Sequence, residues 1–144
     1  MAVYSFAQSI VEGRPIELYG EGELERDFTY IDDVVDVIVG VLECPPKQGL
    51  DGQIGPGTSQ SPFQILNVGS GFPTKVKELV TLLEEALGRV AEVRLVSRPS
   101  EDMRITHAEL EQMIEVIGIR PETSLQQGIK QFTEWFQKYH DFSN

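Results

Sequence analysis

Residues 25–42, Glu-Arg-Asp-Phe-Thr-Tyr-Ile-Asp-Asp-Val-Val-Asp-Val-Ile-Val-Gly-Val-Leu, join two kinds of local structure without a gap. Arg26–Tyr30 reads as a short strand, and Asp32 or Asp33 then offers a carboxylate N-cap to the free N–H groups of a helix through Leu42. The same mixture recurs on either side. Upstream, Ile16–Tyr19 alternates as a strand and stops at the turn Gly20-Glu21-Gly22. Before it, Val3, Phe6, Ala7, Ile10 and Val11 have helical spacing over Met1–Glu12, closed by Gly13 and Pro15. The chain enters this helix with no polar lead-in, which reads as a shortened chain.

Downstream, residues 45–62 are rich in Pro, Gly and Ser and read as a surface loop. Phe63–Val68 is strand-like and closes on Gly69-Ser70-Gly71. Thr74 is placed to cap a helix whose inner face is Val76, Leu79, Val80, Leu83, Ala86 and Leu87, ended by Gly88. Glu92–Val96 alternates as a strand. Leu110, Met113, Ile114 and Ile117 mark a helix stopped by Gly118 and Pro121. The last helix starts at Ser124, with Gln127 at capping-box spacing, and puts Leu125, Ile129, Phe132, Phe136 and Tyr139 on its buried side. Helices mixed with a few short strands make a small α+β domain over residues 1–144, rather than a complete parallel α/β sheet.

Composition narrows the partners. The chain has 144 residues, of which 40% are hydrophobic, and carries a formal charge of −11, from 12 Lys+Arg against 23 Asp+Glu. Such a surface repels nucleic acid and acidic membranes. The single cysteine, Cys44, excludes an internal disulfide and suits a reducing, cytoplasmic setting. Between the apolar run Val34–Leu42 and Pro45-Pro46 it reads as a packed helix end rather than a nucleophile. No stretch reaches the roughly 20 apolar residues of a membrane span.

Catalytic templates are scarce. His107 and His140 lack metal-ligand spacing and a second cysteine, and no G-x-S-x-G elbow is present, so neither a catalytic nor a metal site is assigned. Gly69-Ser-Gly71 begins like a dinucleotide fingerprint, but Thr74 stands where the third glycine belongs, so it reads as a tight turn and no cofactor-binding residue is assigned. More informative are arginines in an acidic chain: Arg26 beside the glycine turn, and Arg98 and Arg104 flanking Pro99-Ser-Glu-Asp102. Guanidinium forks match phosphate oxygens, so converging arginines can make a diphosphate clamp, with Asp102 accepting from ribose hydroxyls. Alternatively they pair with carboxylates on a solvated surface, and composition alone favours that.

Arg26-Asp-Phe-Thr-Tyr-Ile-Asp-Asp33, preceded by Glu-Leu-Tyr-Gly-Glu-Gly22, resembles the segment shared by extended short-chain dehydrogenase/reductase enzymes acting on nucleotide sugars. Ile65-Leu-Asn-Val-Gly-Ser70, Arg98-Pro-Ser-Glu-Asp102 and Gly118-Ile-Arg-Pro-Glu-Thr-Ser-Leu-Gln-Gln-Gly-Ile129 resemble the family's following segments, in order. The resemblance is strongest to UDP-glucuronate and UDP-glucose 4-epimerases, with dTDP-glucose 4,6-dehydratases next. It implies a whole protein in which a Rossmann domain holds NAD and a C-terminal domain, this one, grips the nucleotide diphosphate of an NDP-sugar, most simply a UDP-sugar. By position, Arg26 would contact the pyrophosphate, Asn67 phosphate or ribose, Arg98 with Asp102 phosphate and ribose, and Leu18 and Tyr19 the base. That reverses the order of the two readings of the arginines.

The resemblance has two departures. The family commonly reads R-P-G-D where this chain has Arg98-Pro-Ser-Glu-Asp102, so either Arg98 or Arg104 takes the phosphate. The family's catalytic Tyr-x-x-x-Lys has no counterpart: Tyr4, Tyr19, Tyr30 and Tyr139 are followed four residues on by Gln8, Glu23, Val34 and Ser143. The implied protein is a homodimeric, cytoplasmic NAD-dependent isomerase. The chain alone is expected to be inactive and to bind no NAD, its own Rossmann domain being the missing partner. A 4,6-dehydratase substrate domain and a non-catalytic binding module of the same fold are the alternatives.

Overall fold

The computed structural model describes residues 2–46 and 62–140. Along them run α1 (Ala2–Glu12), β1 (Ile16–Tyr19), a 3-10 turn (Gly20–Gly22), β2 (Glu25–Arg26), α2 (Ile31–Glu43), β3 (Thr74–Lys75), α3 (Val76–Leu87), β4 (Val93–Val96), α4 (Glu111–Ile117) and α5 (Leu125–Tyr139). This is the α+β mixture the sequence implies, and most of the expected loop, residues 47–61, lies outside the described residues.

The main core lies between α1, α3, α5 and β1. Strand β1 buries Ile16 and Leu18 and exposes Glu17 and Tyr19, the alternation a half-buried strand needs. Against it pack Ala7 and Ile10 of α1, Leu79, Val80, Leu83 and Leu87 of α3, and Ile129 and Phe136 of α5. Along each helix these residues stand three, four or seven positions apart, with Val80 beside Leu79, so they form one apolar stripe. Strand β4 runs parallel to β1, from Ile16↔Val93 to Tyr19↔Val96. A second, smaller core joins Val37 of α2 to Leu110 and to Met113 of α4, with Val41, Leu66 and Val68 packed on it.

The helix ends follow local rules. Gly88 ends α3 at φ 63° and sends its N–H to the Glu84 carbonyl, a left-handed cap that costs a β-carbon-bearing residue more. At α5 the Gln127 N–H donates to Ser124 Oγ (3.2 Å) and the Ser124 N–H to Gln127 Oε1 (3.1 Å), the expected capping box. Ser124→Ala should therefore lower unfolding free energy by about 1 kcal/mol. Urea denaturation checks this, and an unchanged midpoint would show that the box contributes nothing.

Two of the remaining differences, at Asp33 and Asp27, share a cause: a side chain expected to serve its own segment is used by another. Tyr30, not Asp32 or Asp33, is the N-cap of α2, with no side-chain cap bond. Both aspartates sit in its first turn, still near the positive helix end. Asp33 instead accepts from the Thr123 N–H (3.1 Å) and Thr123 Oγ1 (2.9 Å), tying α2 to the segment before α5. The helix continues one residue past Leu42, and Cys44 is its C-cap. The strand expected over Arg26–Tyr30 pairs only at Glu25–Arg26, antiparallel to Lys75 and Thr74, because Asp27 turns its carboxylate to a neighbouring loop. Thr74 lies in β3 and donates to the Phe72 carbonyl (3.2 Å), so Lys75 takes the N-cap of α3. Residues 63–68 form no ladder among the described residues beyond a bridge residue at Gln64. Tyr139 is 68% exposed rather than buried and stacks on Trp135 with centroids 5.2 Å apart.

Candidate functional site

The turn after β1 is left-handed throughout: φ is 56° at Gly20, 60° at Glu21 and 75° at Gly22. At Gly22 a β-carbon would also come within 2.8 Å of Lys77 Cβ, so packing against α3 as well as φ excludes a side chain. The reversal sends the chain into β2, which is held on both sides. Strand β3 pairs with one edge. On the other, the Glu25 N–H donates to the Arg104 carbonyl (2.9 Å) and the Thr106 N–H to the Glu25 carbonyl (3.1 Å).

This pairing brings the end of β2 to the 98–104 loop. Arg26 Nη2 lies 2.6 Å from Asp102 Oδ1, and Arg26 Nη1 donates to the Met103 carbonyl at 2.9 Å and to the Glu25 carbonyl at 2.8 Å. Arg98 Nη1 donates to the backbone carbonyl of the same Asp102. The Asp102 N–H in turn closes the loop onto the Pro99 carbonyl (3.2 Å). Two guanidiniums from distant segments therefore converge on one residue, one through its carboxylate and one through its backbone. The Arg26 and Asp102 side chains retain 23% and 35% exposure, so the pair is reachable from solvent. The Arg104 side chain is exposed and has no hydrogen bond or ion pair among the described residues.

The other candidates lie apart from this pair. Asn67 is exposed and makes no hydrogen bond to Arg26, Arg98 or Asp102 among the described residues. Tyr19 is 40% exposed at the end of β1. Leu18 is 4% exposed and belongs to the main core.

Asp27, to which the sequence pattern assigns no role, anchors the neighbouring loops. Its carboxylate accepts from the Ser70 N–H (2.7 Å), Ser70 Oγ (2.7 Å), the Gly71 N–H (3.2 Å) and the Ala108 N–H (3.0 Å). Burial pushes this carboxyl up, but the Ala108, Ser70 and Gly71 donors outweigh it and hold the group below the usual carboxylate range. Gly69 makes the approach possible: a β-carbon there would fall 2.4 Å from Ala108 Cβ and 2.7 Å from Asp27 Oδ2. A signal was present, since aspartate is a poor strand residue in an otherwise strand-like run. What faces solvent at this loop is the Arg26–Asp102 pair and the Arg98 guanidinium, and guanidinium forks of this kind match anionic oxygens.

Residues 2–55 match the NAD dependent epimerase/dehydratase family. The chain is 33% identical over 144 residues to a probable UDP-glucuronate 4-epimerase of Rhizobium meliloti, covering 96% of this chain and 42% of that protein. It is 35% identical over 147 residues to UDP-glucuronate 4-epimerase 1 of Arabidopsis thaliana, covering 99% of this chain and 34% of the relative. Among solved structures, MoeE5 in complex with UDP-glucuronic acid and NAD superposes with a TM-score of 0.78 at 26% identity, over 96% of this chain and 42% of that one. UDP-glucose 4-epimerase of Thermotoga maritima with UDP-glucose gives 0.77 at 28% identity, over 97% of this chain and 40% of that one. The chain thus spans well under half the length of these proteins, and it matches the C-terminal part of NAD dependent epimerase/dehydratase structures.

Proposed function

We propose that this chain is the nucleotide-binding portion of a UDP-sugar 4-epimerase, gripping the diphosphate of the substrate while the rest of the whole protein carries NAD and the catalytic groups. The observation that carries this is the convergence of Arg26 and Arg98 on Asp102. The Asp102 carboxylate and the Met103 carbonyl hold the Arg26 fork in one orientation before any ligand arrives, which lowers the cost of ordering it. A diphosphate approaching this loop meets Arg26, Arg98 and the exposed guanidinium of Arg104, and Asp102 is left to accept from sugar hydroxyls. Binding energy from this remote end anchors the reacting sugar without touching it.

Among the described residues, the Gly69–Gly71 turn does not fit NAD. The Gly69–Gly71 turn is where a dinucleotide loop would offer its N–H groups, but those of Ser70 and Gly71 already donate to the Asp27 carboxylate. An anion brought there meets that carboxylate, so no step of the reaction is routed through this turn. The same reading places the whole protein in the cytoplasm as a homodimer.

Titration of the chain with UDP tests the proposal. Arg26→Ala should weaken UDP binding by about tenfold or more, as expected for loss of a charge-assisted bond. Equal affinity in the variant would overturn the clamp and favour a non-catalytic module of the same fold. Turnover of UDP-glucuronate by the chain alone would overturn the division of labour.

A further inference from the structure

Strand β4 has a bare side. Val93 and Leu95 stand beside Ile16 and Leu18 in the parallel register, so all four share one face of the β1–β4 pair. Ile16 and Leu18 are covered by the helices of the main core and are 2% and 4% exposed, but Val93 and Leu95 remain 40% and 65% exposed. The opposite face is charged. There Glu17 of β1 stands beside Arg94 of β4, and Arg94 Nη2 lies 3.6 Å from Glu92 Oε1 on its own strand. The Ile16 N–H donates to the Glu92 carbonyl (2.7 Å), which fixes the ladder so that Arg94 turns its backbone groups to β1. Those of Val93 and Leu95 therefore point the other way, where no strand pairs with them among the described residues. Two strands alone make a marginal sheet, and an open edge of this kind is a template for another strand.

The order of residues along β4 decides which strand fits. Consider two β4 strands paired antiparallel about a two-fold axis at Val93. Val93 then meets Val93 of the second copy, and the two exchange both of their outward N–H and C=O groups. Glu92 stands opposite Arg94 of the second copy, and Arg94 opposite its Glu92, at the close positions between hydrogen-bonded pairs. Each Arg94 thus lies between Glu17 of its own β1 and a Glu92 across the axis, while Val93 and Leu95 continue the apolar face. Moving the axis to Arg94 sets arginine opposite arginine, and moving it to Leu95 sets Arg94 opposite Val96, so both lose the ion pairs. We propose that β4 is a docking edge for a second copy of this chain, in the register centred on Val93, giving a continuous four-stranded sheet. The added ladder is short. The Ala91 N–H, which would face Leu95 of the second copy, already donates to Glu84 Oε1 (2.7 Å), so association is weak and concentration-dependent. Nothing in this depends on the nucleotide-binding reading.

Sedimentation equilibrium of the 144-residue chain tests it, in about 0.15 M salt so that the −11 charge on each copy is screened. Dimer should form as concentration rises, and amide exchange at Val93 and Leu95 should slow with it. Glu92→Arg and Arg94→Glu each set like charges face to face twice across the axis, so each should weaken dimerisation by about tenfold or more. The double exchange of Glu92→Arg with Arg94→Glu rebuilds both ion pairs and should restore the dimer. Thermal melts monitor the fold. If Arg94→Glu melts early beside Glu17, Val93→Asp, which opposes two carboxylates on the axis, takes its place. A chain that stays monomeric up to about 500 µM would overturn the proposal. So would a dimer that the folded variants leave intact, or one that the double exchange fails to restore. A dimer split by Ile38→Glu but not by Glu92→Arg would also overturn it, by assigning association to the exposed apolar face of α2. Arg26→Ala should dimerise normally, so loss of UDP binding and loss of the dimer report the two proposals separately.

Discussion

Phe136→Ala should destabilise the fold by about 3–5 kcal/mol, the range for removing a fully enclosed phenylalanine and leaving a cavity. Phe136 is 0% exposed at the meeting of α1, α3 and α5. Tyr4 of α1 stands edge-on to it (5.5 Å, 79°), and Phe132 lies 5.6 Å away on its own helix. These rings cannot collapse into the space without leaving their helices, so relaxation recovers little. A domain of this size holds roughly 5–15 kcal/mol in total, so the variant should unfold at much lower urea than wild type. A loss below about 1 kcal/mol would mean the three-helix core is not what holds the chain together.

Asp27→Ala should cost about 2–4 kcal/mol at neutral pH, because the N–H groups of Ser70, Gly71 and Ala108 lose a charged acceptor together. Single hydrogen bonds to a charge are worth about 1.5–3 kcal/mol, and water reaching this half-buried site replaces part of the loss. The pH dependence separates a charge effect from lost packing. Burial opposes ionisation of Asp27, but the donors from Ala108, Ser70 and Gly71 win, so its folded-state pKa lies below the unfolded value. The stabilisation is therefore complete above the unfolded value, about 4, and is lost as pH falls through the folded value. The gap between wild type and Asp27→Asn should be widest at pH 7 and narrow in acid. A gap that stays constant from neutral pH to about pH 3 would show that the carboxylate's charge is not what these donors need.

These two residues differ in how far the sequence revealed them. Phe136 is legible because Ile129, Phe132 and Phe136 recur at helical spacing, and that spacing names the buried face. The same pattern misplaced Tyr139, since periodicity gives the face of a helix but not how far its partner extends. Arg26, Arg98 and Asp102 were legible as a set through resemblance, and the structure brings them together. The resemblance groups Leu18 with them, yet β1 alternation turns it into the core.

Determined by sequence alone were the α+β class, the positions of α1, α3 and α5, the glycine ends of α3 and α4, and the Ser124 capping box. All of these rest on interactions within about four residues, which a short stretch of chain contains in full. Only the tertiary structure decided that β4 would pair with β1, that β2 would end after Arg26, and that Asp27 and Asp33 would serve loops remote in sequence rather than their own strand and helix. A carboxylate takes whichever donors burial brings within hydrogen-bond distance, and the packing of the cores decides which donors those are.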